Sequence, residues 1–236
     1  MRILATLAVS VVASAVLQSG SAAGLYSYGP DGASGRQEVD YARIPRILAA
    51  DALYLAFDGS SSADNRIVRY SGPGQSSTLL ALGDKALPSA MAFDGAALFF
   101  YSADAPGTIQ RLPSGGTPSL FVQEDVVADL VADTTNLYAL TVTGNLVAHP
   151  LAGGAPHVLG TGLAGARRLA ADDAALYVAA AGLAPTDGRI IRLQKSDGVA
   201  RDVATKQASP VAIAVVASGV YWANAGDGSV MRARRK

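Results

Sequence analysis

Carboxylates, guanidiniums and imidazoles recur in this chain at spacings that invite a chemical reading. Aspartates stand at Asp51, Asp94, Asp133 and Asp172, each after an apolar run and before a short gap. Such carboxylates could converge on a cation. An Asp between a strand and a tight turn also hydrogen-bonds its own turn backbone, and that role is the expected one. His149 and His157 flank "PLAGGAP", so a hairpin symmetric about Gly153 would set the two imidazoles opposite each other. A zinc site needs a third or fourth ligand, and none stands nearby, so two exposed polar strand residues are the simpler expectation. These are the only two histidines, and no nucleophile-elbow motif accompanies them, which leaves a Ser-His-Asp triad with few candidates. "GTGLAG" at 160–165 fits GxGxxG, but no helix follows to supply an anion-binding N-terminus, so it reads as a turn.

The elements that must position these residues come from an internal repeat. "ILAADALYLAF", "AMAFDGAALFFYS", "LVADTTNLYALTV", "LAADDAALYVAAA" and "AIAVVASGVYWAN" align on an aliphatic–aromatic pair. Its aromatic member falls at Tyr54, Phe99, Tyr138, Tyr177 and Tyr221, at spacings of 45, 39, 39 and 44 residues. The aligned Asp is lost only in the last copy, at Val216. A second block follows each time ("NRIVRYSGPG", "GTIQRLPSGG", "GNLVAHPLAGG", "GRIIRLQKSDG", "GSVMRARRK"), with an Arg at Arg69, Arg111, Arg192 and Arg232 and Ala148 as the exception. Further strands read as "STLLAL", "SLFVQE", "HVLGTG" and "ARDVAT". Each unit is therefore four short strands. "ARRLAADDAALYVAAA" is rich in helix formers, but its sister copies carry Phe93, Phe99 and Val215 at aligned positions, so it too is read as strand.

Four antiparallel strands with an apolar inner strand cannot bury both faces alone. Placed radially, the units cover one another, which predicts an all-β protein, a β-propeller of four-stranded antiparallel blades. From Gly24 the chain begins with "GLYSYGPDG", which matches the third strand of a unit, and it ends at the third with "SVMRARRK", so an N-terminal strand is expected to complete the last blade. Five blades are the expected number, with one surplus N-terminal strand; a six-bladed or incompletely closed ring is the alternative.

Composition bounds the function. The chain has 236 residues, 19 Lys plus Arg, 19 Asp plus Glu and no cysteine. No net field draws it to nucleic acid, and disulfides, thiolate metal sites and thiol nucleophiles are all removed. "MRILATLAVSVVASAVLQSGSAAG" has a basic start, an apolar run and small residues at Ser21, Ala22 and Ala23, the layout of a signal peptide over residues 1–23, with an uncleaved anchor as the alternative. Residues 24–236 then form one domain, exported to the periplasm or the extracellular space, with no membrane span after cleavage.

"VYWANAGDGSVMRA" resembles the YWTD repeat of low-density-lipoprotein-receptor-type propellers, and "TIQRLPSGGTPSLFV" resembles the Pro/Gly-rich, NHL-like repeats of exported bacterial propellers. The resemblance spans nearly all of residues 24–236 and implies blade structure. Ala223 and Asn224 replace the Thr-Asp of YWTD, so the bridging role of that Asp is not carried over. Such families include receptors, scaffolds, lactonases and lyases, so the fold assigns no activity.

Loops leading into the inner strands are the expected binding surface. Pro45, Pro88 and Pro210 stand there, followed by Arg46, Ser89, Asp129, Arg167 and Arg168, which differ from unit to unit. "FDGSSSADNR" and "AGLAPTDGR" should lie on the same face and add Asp58, Asp64 and Asp187. Arg46, Arg167 and Arg168 could frame a polar pocket for an anionic or carbohydrate ligand; ordinary loop solvation is the competing account. The expected function is a non-enzymatic, monomeric propeller binding a protein, peptide or glycan, with no evident cofactor. The rivals are a lactonase- or lyase-type enzyme with a divalent metal in the channel, for which Asp129 is the one acidic residue near the loops, and a truncated paralogue of a larger propeller.

Overall fold

In a computed structural model of the chain, residues 2–6, 13–19, 22–28, 35–41, 46–49, 53–57, 65–72, 75–85, 87–102 and 107–234 are described. Every regular element among them is a strand, and each strand pairs antiparallel with its neighbour in sequence. The first sheet holds β1 (Arg2–Thr6), β2 (Ala13–Ser19), β3 (Ala22–Tyr28) and β4 (Gly35–Tyr41). The second holds β5 (Arg46–Ala49), β6 (Leu53–Phe57), β7 (Asn65–Gly72) and β8 (Gln75–Gly83). The third holds β9 (Ala90–Phe93), β10 (Ala97–Tyr101), β11 (Thr108–Pro113) and β12 (Ser119–Gln123). The fourth holds β13 (Val127–Ala132), β14 (Asn136–Thr141), β15 (Leu146–Pro150) and β16 (His157–Gly160). The fifth holds β17 (Ala166–Ala171), β18 (Ala175–Ala180), β19 (Gly188–Gln194) and β20 (Ala200–Gln207). The last has three strands, β21 (Pro210–Val216), β22 (Gly219–Asn224) and β23 (Val230–Ala233).

The first strands of successive sheets stand side by side: β5 against β9, β9 against β13, β13 against β17, β17 against β21, and β21 against β1. Sheets radiating from a ring of inner strands make a β-propeller. Its N-terminal part departs from expectation. No N-terminal strand completes the last sheet among the described residues; the N-terminal strands form a sheet of their own, and β1 and β2 lie within the stretch that reads as an export signal.

The second strands β10, β14 and β18 explain the all-apolar runs in the sequence. They are buried on both faces, and their two-residue period divides each between two interfaces. Phe99 and Tyr101 of β10 pack with Leu130 and Leu137 of the fourth sheet, while Leu98 and Phe100 pack with Tyr54 and Ile67 of the second. Leu176 and Val178 of β18 face the fourth sheet, and Tyr177 and Ala179 face Val220 and Trp222 of the last. The helix-rich stretch around Ala170 is strand for this reason: two apolar slabs need it extended, and packing outweighs propensity.

Candidate functional site

Loops leading into the inner strands share one rim with the turns between second and third strands. Val142 N–H donates to Val126 O at 2.8 Å, Leu163 N–H to Gly144 O at 3.0 Å, Ala181 N–H to Gly165 O at 2.8 Å and Ala225 N–H to Ser209 O at 2.9 Å. Gly165 is required there: its φ is +70°, and a Cβ would sit 2.6 Å from Gly182 O. Val126, Val142 and Leu183 on these loops are 49%, 54% and 89% exposed, a concentration of apolar surface that sequence reasoning missed. Their sequence signal is an aliphatic residue inside a turn otherwise built from Gly, Thr and Asp.

The sequence-predicted residues divide around this rim. Arg46 opens β5, and Ser89 immediately precedes β9, with its N–H donating to Tyr101 O at 3.0 Å. Ser89 Oγ is buried and has no partner among the described residues. Asp129 and Arg168 occupy equivalent places on β13 and β17, each just past a register shift in its pairing with the second strand. The Asp129 carboxylate is half-buried: Oδ1 accepts from Leu130 N–H at 3.1 Å, and Oδ2 accepts from Leu169 N–H on the adjacent inner strand at 2.9 Å. It thus ties two inner strands together. Arg167 is exposed, and Arg168 donates to the Arg167 carbonyl at 2.9 Å. Asp187 accepts from Ala184 N–H at 2.8 Å and Leu183 N–H at 3.1 Å, so its carboxylate shapes its own loop and presents Leu183. Asp58 and Asp64 lie outside the described residues.

Asp94, Asp133 and Asp172 serve their turns, and Asp51 lies outside the described residues. Asp94 Oδ1 accepts from Ala96 and Ala97 N–H at 2.7 Å each, Asp133 Oδ1 from Thr135 and Asn136 N–H at 2.8 Å each, and Asp172 Oδ1 from Ala174 N–H at 2.9 Å and Ala175 N–H at 2.8 Å. Where the aromatic partner is Tyr, its hydroxyl joins the turn: Tyr138 donates to Asp133 Oδ2 at 2.9 Å and Tyr177 to Asp172 Oδ2 at 3.0 Å. Lys195 of the fifth sheet also donates to Asp133 Oδ2, at 2.7 Å. Burial alone would raise the Asp133 carboxyl, but the Lys195 ammonium and the Thr135 and Asn136 donors outweigh it and hold the group well below the usual range. The Tyr138 hydroxyl is pushed up to about 12 by burial and by the neighbouring carboxylate.

The histidine pair is corrected. His157 pairs with Ala148, not His149, so the hairpin is one residue off the symmetric register and the two imidazoles take opposite faces. His149 is buried rather than exposed and meets Glu124 Oε2 of the preceding sheet's last loop at 2.7 Å. "GTGLAG" is the turn between β16 and β17, as expected. Among the described residues no three His, Asp or Glu side chains converge as a metal site. A shallow cleft of about 240 Å³ adjoins this rim at the loop into β17, lined by Thr161, Leu163, Arg189, Arg201 and Asp202, with Arg189 and Asp202 3.4 Å apart.

No known family profile matches the chain, and no curated protein does. Its fold is shared by solved structures. A chain in a nidogen/laminin complex is 17% identical, with 89% of this chain and 86% of that one covered, at a TM-score of 0.69. A streptogramin B lyase structure is 14% identical, with 94% and 80% covered, at 0.66. The computationally designed Ika4 protein is 19% identical, with 66% and 95% covered, at 0.55. At these identities the likeness is one of fold, and with the radial sheets and the YWTD-like and NHL-like repeat motifs it makes this chain a β-propeller repeat protein.

Proposed function

We propose that this propeller is an exported binding protein whose partner, a protein, peptide or glycan, docks on the rim formed by the loops into the inner strands. The observation that carries the reading is the exposed apolar group Val126, Val142 and Leu183 on the rim that also holds Arg167. Apolar anchors beside arginines are what protein recognition uses. The carboxylates support the same reading, because Asp129 beside the rim, and Asp133 and Asp172 in the turns at the other end of the strands, already hold the scaffold. Likeness to a propeller taken from a nidogen/laminin complex makes protein binding a natural use of the fold. Export follows from the N-terminal layout; cleavage after Ala23 would remove β1 and β2, so the processed chain would keep β5 to β23 and the C-terminal part of the first sheet.

The test is a thermal-unfolding screen of the exported protein against divalent metals, chelator, sugars and peptides, because a ligand bound only by the folded state raises the midpoint. A peptide or glycan that raises it in the parent, and not in a Val142→Asp/Leu183→Asp variant of unchanged basal midpoint, is the expected result. A metal-dependent rise reversed by chelator would overturn this reading in favour of a lyase- or lactonase-type enzyme.

A further inference from the structure

The loop "GTGLAG" at 160–165 brings three features of the rim together. Leu163 N–H donates to Gly144 O at 3.0 Å, in the turn that carries Val142, and Ala181 N–H donates to Gly165 O at 2.8 Å, in the turn that carries Leu183. Both docking points are tight: a Cβ on Gly144 would sit 2.7 Å from Leu163 O, and one on Gly165 would sit 2.6 Å from Gly182 O. The first residues of the loop, Thr161 to Leu163, wall the cleft of about 240 Å³ that Arg189, Ile191 and Arg201 of the fifth sheet line from the other side. A cleft and two exposed aliphatic side chains, Val142 and Leu183, thus meet at one firmly seated loop.

Charge decides the occupant. The carboxylates on this side are already engaged. Asp187 accepts from Leu183 and Ala184 N–H with its two oxygens, Asp129 accepts from Leu130 and Leu169 N–H, and Asp202 meets Arg189 through a contact of 3.4 Å. The guanidiniums are in surplus: Arg167 and Arg201 are exposed and have no side-chain partner among the described residues, and Arg189 keeps most of its N–H donors. An exposed pair such as Arg189 with Asp202 is worth little, so an incoming anion can share or take that guanidinium. Arg189 and Arg201 against Asp202 leave the cleft a single positive charge, which matches a carboxylate better than a doubly charged phosphate. The exposed large apolar side chains among the described residues are Leu, Val and Met, which suit aliphatic groups better than a sugar ring. We infer that this loop seats an extended peptide, with an Asp or Glu carboxylate in the cleft against Arg189 and Arg201 and aliphatic side chains against Val142 and Leu183. The inference rests on the rim being the docking surface and gives that surface its partner class.

The test is selection of a displayed library of random linear dodecapeptides on the full chain, followed by fluorescence polarisation of the enriched peptides. These should carry Asp or Glu beside Leu, Ile or Val, and their binding should weaken with salt. Arg201→Glu should weaken them at least about tenfold at an unchanged thermal midpoint, and should gain binding of the same peptides with the acid replaced by Lys. The gain guards against misfolding, since a collapsed variant gains nothing. Replacing the peptide's acid by its amide should cost the parent a similar factor and cost Arg189→Gln/Arg201→Gln little, as a double-mutant cycle requires of groups in contact. No enriched peptide, enrichment without an acidic residue, or equal affinity of parent and Arg201→Glu would each overturn the inference and leave the rim standing, since a glycan or a non-acidic peptide could still dock there. Undiminished binding of an acidic peptide by Val142→Asp/Leu183→Asp would overturn the rim and this inference together.

Discussion

Asp94 and Asp133 occupy one repeat position with different surroundings, so replacing each by Ala separates the turn from the tie between sheets. Asp94→Ala removes one carboxylate oxygen that accepts two backbone N–H groups, in a turn whose aromatic partner is Phe99 and has no hydroxyl. The cost is about 1 kcal/mol, the net worth of such bonds near the surface. Asp133→Ala removes the same turn bonds and also leaves the Tyr138 hydroxyl and the Lys195 ammonium, whose side chain is 12% exposed, without their acceptor. Breaking a fully buried pair costs about 3–5 kcal/mol; with the Asp133 side chain 28% exposed, about 2–4 kcal/mol is expected. At roughly 2–4 °C per kcal/mol for a domain of this size, the thermal midpoint falls by about 5–15 °C for Asp133→Ala and by about 2–4 °C for Asp94→Ala. Equal shifts would refute the argument that Lys195 and Tyr138 make this turn a tie. The pH dependence has a definite sign. The Asp133 carboxyl is held below its ordinary value in the folded chain, so its contribution is complete above the unfolded value near 4 and is lost as pH falls through the folded one. The stability gap between parent and Asp133→Asn should therefore narrow in acid, as read by urea unfolding from pH 7 downward.

The remaining predictions rest on separate features. Gly165→Ala should destabilise by more than about 1 kcal/mol, because it forces a side chain into a left-handed backbone against Gly182 O; urea unfolding reads it, and a neutral result would mean the rim relaxes freely. Intact-mass measurement of the chain recovered outside the cytoplasm should give a start at Gly24, and a start at Met1 would contradict export with cleavage. Arg167→Ala should weaken an identified rim partner with little change in the thermal midpoint, since Arg167 is exposed, and a large midpoint shift would show it to be structural instead.

The strands were legible because Gly, Asp and Pro punctuate a repeat whose aromatic residue returns every 39 to 45 positions, and repetition averages out local exceptions. The turn role of Asp94, Asp133 and Asp172 followed from the same alignment. His149 was misjudged for a physical reason: the face it takes depends on a single residue of hairpin register, which the turn sequence does not fix, and β15 also carries a register shift between Leu146 and Val147. Asp129 lies on β13, and its bond to Leu169 N–H spans 40 residues, so it depends on how two sheets meet rather than on either sequence alone. Leu183 and Val142 escaped notice because exposure of an aliphatic residue is decided by what fails to cover it.

Core substitutions can show how far one sheet feels another. Ile109 lies in the cluster between the third and fourth sheets, while Ile190 and Val220 share the one between the fifth and the last. Ile109→Val and Ile190→Val should each cost about 0.5–1.5 kcal/mol. If the sheets interact as nearest neighbours, the double variant should show the sum within about 0.5 kcal/mol, whereas Ile190→Val with Val220→Ala should depart from additivity by more than that, since both reshape one cavity. Urea unfolding of the three single and two double variants measures both couplings at once. A coupling between Ile109 and Ile190 as large as that between Ile190 and Val220 would mean that strain travels around the inner strands. Ties such as Asp129 to Leu169 and Lys195 to Asp133 would then transmit packing as well as set the angle between sheets. The nearest-neighbour result would leave each apolar slab to stabilise its own pair, including the one that Val220 and Trp222 of the last sheet form with the fifth.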